Sequence, residues 1–204
     1  MKRSYGVLVL AAVFAMGLLS VGCASNPQAQ SPGALSDWTG TWNNFSSYFE
    51  NPGIVKAYEI LAEREGKTPD DIKARYAAGT MYQCDIAAIE IQGDDIIFYH
   101  KTQCVNGATS DIAYKARYAY EGEVSTQNAA GRVWKWKHFE TSDNVPYQHF
   151  MMLPAEADIP GETMIHFHFR YGDNLDTLLA ADGWFATMIA YDSTIDLLIN
   201  HMTN

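Results

Sequence analysis

The sequence predicts a mainly β fold: an antiparallel sheet that curls on itself or closes into a barrel, with a helical insert after the first strand and a C-terminal helix. Three observations predict it. From Thr80 onward the apolar residues recur with a period near two, in runs rich in Tyr, Ile, Val, Phe and Trp. Gly, Asn, Asp or Pro separates one run from the next. Between the opening Trp-rich run and Thr80 the spacing is instead that of two short helices.

The elements follow in chain order. Leu35 to Phe45 opens the fold as a strand, with Trp38, Gly40 and Trp42 on one face. Asn51-Pro52 suits a helix start, and Ile54, Val55, Tyr58 and Leu61 then carry helical spacing until Gly66. Thr68-Pro69-Asp70-Asp71 starts a second helix, with Thr68 as N-cap and an acidic residue three further on; it runs to about Ala78 and ends at Gly79. Strands are expected over about 80–91, 95–104, 111–121, 131–140, 146–153 and 163–171. Leu175 to Ala180 reads as helix, and Ser193-Thr194-Ile195-Asp196 caps a last helix, Thr194 to His201.

The chain start reads as an export signal. Lys2 and Arg3 precede an apolar stretch, Val7 to Val21, too short to span a bilayer comfortably. Leu19-Ser20-Val21-Gly22-Cys23 is similar to a bacterial lipobox, with Leu19 one place further out than the usual pattern. The expected organisation is therefore residues 1–22 as signal peptide, 23–34 as lipidated Cys23 and flexible tether, and 35–204 as one metal-binding domain. The product is expected to be exported and held at the membrane, periplasmic or on the cell surface, through Cys23. In an oxidising compartment Cys84 and Cys104 form an even pair. Facing each other across a hairpin centred at Asp94, they permit a disulfide. Closing a loop of about 20 residues contributes roughly 3 kcal/mol in the chain-entropy picture. The alternative is two free buried thiols.

Charge excludes some classes. The whole chain carries −10, and without Lys2 and Arg3 there are 12 basic residues against 24 acidic. No nucleic-acid partner is expected, because phosphate contacts need Lys and Arg. There is no Gly-rich phosphate loop, Gly-x-Ser-x-Gly elbow or Cys-x-x-Cys.

The chemistry lies in histidines. In Met164-Ile165-His166-Phe167-His168-Phe169 a strand projects His166 and His168 from one face and Phe167 from the other. Two imidazoles on a rigid strand are half of a zinc site; two hydrogen-bonded histidines are the bland alternative. His149, on the preceding strand, would face His166 if the hairpin centred between Ala157 and Asp158. His138 shares a face with Trp134 and Trp136, opposite Lys135 and Lys137; lysines belong in water, so the Trp/His face is expected to point inward. His138, His149, His166 and His168 are thus expected to converge as metal ligands from three adjacent strands. His100 beside Lys101 reads as a surface residue, and His201 suits the negative end of the last helix.

Together these segments resemble the ZinT (YodA) family of zinc-binding lipocalin-like proteins. The likeness rests on Leu35-Ser36-Asp37-Trp38-Thr39-Gly40-Thr41-Trp42, Ile72-Lys73-Ala74-Arg75-Tyr76 with Gly79, Asp85-Ile86 with Ile89-Glu90-Ile91, and His166-Phe167-His168-Phe169 with Gly172-Asp173. The resemblance implies a lipocalin-like (calycin-type) antiparallel barrel. It implies zinc as the ion, with Cd2+, Ni2+ or Cu2+ as in vitro substitutes, and His166 and His168 as ligands. The family's third histidine follows a Gln-Phe-Ser-Asp run; here Leu153 stands at that spot, and His149, four residues earlier on the same strand face, is the expected replacement. The family's His-rich N-terminal stretch has no counterpart in Asn26 to Ala34.

The function expected is zinc buffering or delivery to an uptake system, with the metal-binding protein of a transporter as partner. The alternative is a lipocalin-like carrier of a small apolar ligand in the barrel mouth. An enzyme is not expected: Glu156, Asp158 and Glu162 fall in a solvated loop, which leaves no general base beside the motif.

Overall fold

The computed structural model describes residues 34–103, 111–156 and 164–204. Among these residues one antiparallel sheet of nine strands organises the fold. They are β1 (Gly40–Asn44), β2 (Ala88–Gln92), β3 (Asp95–Tyr99), β4 (Ile112–Arg117), β5 (Ala119–Gln127), β6 (Val133–Glu140), β7 (His149–Met152), β8 (His166–Gly172) and β9 (Ala186–Ala190). Their order across the sheet is β4-β3-β2-β1-β9-β8-β7-β6-β5. The two edge strands, β4 and β5, are separated in the chain by Tyr118 alone. A flat nine-strand sheet could not bring them together, so the sheet curls through most of a barrel. Tyr118 holds that corner: its N–H donates to Asp94 and its hydroxyl to the Tyr147 carbonyl.

The concave side is filled by side chains from around the sheet: Trp42, Ile89, Ile91, Ile96, Phe98, Phe139, Phe150, Met152, Phe167, Phe169 and Met188, with Trp38 from the turn before β1. Trp38 packs edge-on against Phe139 and donates its indole N–H to the Leu153 carbonyl. The other face is covered by helices. Helices α1 (Val55–Glu65) and α2 (Pro69–Ala77) form the insert after β1, and α4 (Ile195–Thr203) docks beside them. Tyr58, Leu61, Ile72, Leu198 and Met202 close over Ile189 of β9 there. The short helix α3 (Leu175–Ala180) buries Leu178 with Met151, Trp136 and Phe185 further along that face.

The helices fall where their caps predict. Thr68 and Asp71 exchange the two hydrogen bonds of a capping box, and Gly66 ends α1 in the left-handed region at φ 65°. Several expectations about strands fail. The opening strand starts only at Gly40, because Ser36–Trp38 forms a short 3-10 turn, and the strand expected over 111–121 is broken at Tyr118 into β4 and β5 at opposite edges of the sheet. The run expected over 80–91 pairs only from Ala88. Before it the backbone is held by single bonds instead of a ladder: Asn44 Nδ2 donates to the Cys84 carbonyl, Trp184 Nε1 to that of Gln83, and Phe185 N–H to that of Met81. Strand β9 was not expected at all. It is buried on both faces, so its sequence lacks the alternation that marks a half-exposed strand.

Cys84 carries a free thiol whose Sγ donates to the Ile86 carbonyl at 3.4 Å. Burial pushes that thiol up to about 12. Cys104 lies outside the described residues, so the expected pairing has no support here. The signal, Cys23 and tether expectations also lie outside them. Among the described residues no helix is long and apolar enough to cross a membrane.

Candidate functional site

Strand register fixes which histidines can meet. On β8, His166 lies opposite Ile189 and His168 opposite Thr187 of β9. On the other side His149 of β7 lies opposite Gly172, and Met151 opposite Arg170. On β6, His138 faces Met151 and Glu140 faces His149. The expected pairing of His149 with His166 is therefore wrong by six residues, and that of His138 with His149 by two. Both offsets are even, so no side chain changes face. His138, His149, His166 and His168 do share one face of the sheet, but it is the helix-covered one, not the interior. Lysine patterning misled here. Lys137 lies on the concave side with Phe139, yet its ammonium reaches the rim, 2.8 Å from Asp37 and over the Trp38 ring.

The four histidines do not converge. They form two groups separated along β8 by the stretch from His168 to Gly172, about 13 Å at the usual strand rise. Arg170 stands between them, buried. Its Nε donates to the Trp184 carbonyl, its Nη1 to that of Leu178, and its guanidinium stacks on Trp136. Burial pulls its pKa below the ordinary value, with Asp182 acting the other way.

The first group contains His166, His168 and His201. The rings of His166 and His168 are 5.3 Å apart, and His201 from the last turn of α4 lies 5.1 Å from His166. His166 is 1 % exposed. His168 Nδ1 is 2.9 Å from Thr187 Oγ1, whose own hydrogen goes to the Phe185 carbonyl at 2.8 Å. A hydroxyl has one proton to give. Thr187 must then accept from His168, so Nδ1 carries a hydrogen and Nε2 is the nitrogen that would face an ion. The sequence reading set His201 aside as a dipole partner; α4 instead docks it against the His-Phe-His strand. The only signal was its place on an amphipathic terminal helix. Leu153 occupies the remaining side: its N–H donates to the His168 carbonyl, so its side chain lies beside His168 on the same face.

The second group is His138, Glu140 and His149. His138 Nε2 is 3.2 Å from His149 Nδ1, and Glu140 Oε2 is 3.7 Å from that same Nδ1. Among the described residues this is the one trio whose ligand atoms all lie within 4.8 Å of one another; the first group is more open. Burial, then the neighbouring His149, lower the pKa of His138, while Glu140 pulls the other way. Sequence reasoning missed Glu140 because strand register alone brings it opposite His149. His100 is exposed, as expected.

A hollow of about 490 Å³ opens at the barrel rim between Phe98, Tyr99, Tyr114 and Tyr147. Among the described residues the interior itself is occupied by aromatic rings, and a second hollow, of about 610 Å³, opens beside Cys84, Asp85, Tyr171 and Trp184.

The comparisons agree with this architecture. A curated relative, the probable metal-binding protein YrpE of Bacillus subtilis (strain 168), is 28 % identical over 153 residues, 71 % of this chain. The matched part is 54 % of that relative, so the chain spans about half its length. The Zn(II)-bound ZinT-like domain of Streptococcus pneumoniae AdcA superposes with a TM-score of 0.62 at 21 % identity, over 86 % of this chain and 93 % of that one. Zn(II)-bound AdcA from the same species superposes with a TM-score of 0.61 at 21 % identity, over 83 % of this chain and 35 % of that one. At such identity these two likenesses establish the fold alone. The family described as ZinT (YodA) periplasmic lipocalin-like zinc-recruitment matches residues 24–204. Spanning the whole folded region, that match makes this chain a member of the ZinT family.

Proposed function

We propose that the protein is an exported zinc-binding lipoprotein, anchored through Cys23, that buffers zinc or delivers it to an uptake system. The ion is its cargo. His166 Nε2 or Nδ1 and His168 Nε2 are the first two donors, and His201 is the third. The observation that carries this reading is the Thr187–His168 hydrogen bond. It orients His168 with Nε2 as the ring nitrogen that would ligate the ion, and the buried His166 imidazole stands 5.3 Å away, ring to ring, on the same strand face. Family membership and the names of the relatives, a metal-binding protein and Zn(II)-bound structures, support zinc as the ion. Leu153, at the family's third-ligand position, cannot ligate; His201 compensates from the other side of the pair. A mainly acidic surface favours cations at the mouth.

Calorimetric titration with Zn2+ tests the site. His166→Ala/His168→Ala is expected to lose one bound ion relative to wild type, with circular dichroism checking that the variant is folded. Equal zinc binding by both proteins would overturn the reading. Delivery is tested separately, by whether cells lacking the protein grow more slowly when zinc is scarce.

A further inference from the structure

We infer that His138, His149 and Glu140 form a second divalent-cation site, separate from His166 and His168 and independent of them. The geometry is that of a site with its ligands already in place. Zinc–nitrogen bonds of about 2.0–2.1 Å at a tetrahedral angle put two donor nitrogens roughly 3.3 Å apart. His138 Nε2 and His149 Nδ1 are 3.2 Å apart, and Glu140 Oε2 stands 3.7 Å from His149 Nδ1. All three side chains come from the paired strands β6 and β7, with Glu140 directly opposite His149, so the sheet holds their separation.

Burial is graded in the way a loadable site requires. His138 is 5 % exposed and forms the floor. The His149 side chain is 15 % exposed, and Glu140, at 48 %, faces solvent and gives the ion a route in. Two imidazoles and one carboxylate leave a fourth position for water, which suits zinc and its borderline neighbours better than magnesium or calcium. The competing account is a hydrogen-bonded histidine pair with Glu140 as the ionic partner of a protonated His149. It explains both separations without an ion. In the metal account a tautomer change at the ring that donates this bond frees both facing nitrogens for the ion.

Equilibrium dialysis against Zn2+ alone, with elemental analysis, separates the two accounts. Wild type is expected to hold two ions per chain. His149→Gln and the more exposed Glu140→Gln are each expected to lose one ion or to bind it at least tenfold more weakly. His166→Ala/His168→Ala is expected to keep the ion that these variants lose. Circular dichroism checks that each variant is folded. One ion per chain in wild type, retained by folded His149→Gln and Glu140→Gln and lost by His166→Ala/His168→Ala, would overturn this site and leave the first intact. One ion lost by His149→Gln and retained by His166→Ala/His168→Ala would do the reverse.

Discussion

Thr187 decides which nitrogen of His168 faces outward, and it does so without touching an ion. Its hydroxyl is committed to the Phe185 carbonyl and so accepts from His168 Nδ1. Thr187→Val keeps the shape and removes the acceptor. Zinc affinity at the His166 site is expected to fall by about 10- to 100-fold, the usual effect of losing a partner that orients a ligand. Competition against a chromophoric chelator measures this, and unchanged affinity in the folded variant would show that His168 needs no such support. At this scale the sequence was partly legible. Phe167 flanked by two histidines declares a shared strand face, because the two-residue period is local. His201 and Glu140 were hidden, because their neighbours are set by how α4 docks and how β6 pairs with β7. Neither leaves a mark in the residues nearby.

Among the elements, the segment before β2 shows how polar bonds can replace a ladder. Asp85 accepts from the hydroxyls of Tyr171 and Tyr147 and so ties this segment to β8 and to the loop before β7. Burial pushes the Asp85 carboxyl up, but the two tyrosine hydrogen bonds together with a backbone hydrogen bond outweigh it and hold the pKa below its ordinary value. A carboxylate lowered on folding adds stability above its unfolded pKa, about 3.9, and loses it as pH falls through the lower folded value. The melting temperature of wild type is therefore expected to drop as pH falls below about 4. Asp85→Asn should show a smaller drop; an equal one would mean that Asp85 has no part in acid lability. The helices were legible because caps such as Thr68 and Asp71 are short-range signals. Strand β9 was not, since burial on both faces erases its period. The β7–β8 register was misjudged because the length of the connecting loop does not follow from its residue types.

At the scale of the molecule, the sheet separates two tasks by face. Its concave side is spent on aromatic packing, from Trp38 and Trp42 through Phe150 and Phe167, and this stabilises the curl. Its helix-covered side carries both histidine groups, with Arg170 fixed between them as a positive charge that discourages an ion from resting midway. The curled sheet could be read from alternation and the Trp-rich opening. Which face would be interior could not, because Lys137 escapes to the rim while its neighbour Phe139 packs inside. The central claim is that zinc is held on the helix-covered face by the His-Phe-His strand. Crystallography of zinc-loaded protein, with anomalous data at the zinc edge, tests it most directly. An ion within about 2.0–2.1 Å of one nitrogen each from His166 and His168 is the result expected. Zinc bound elsewhere, with both of those rings outside coordination distance, would contradict it.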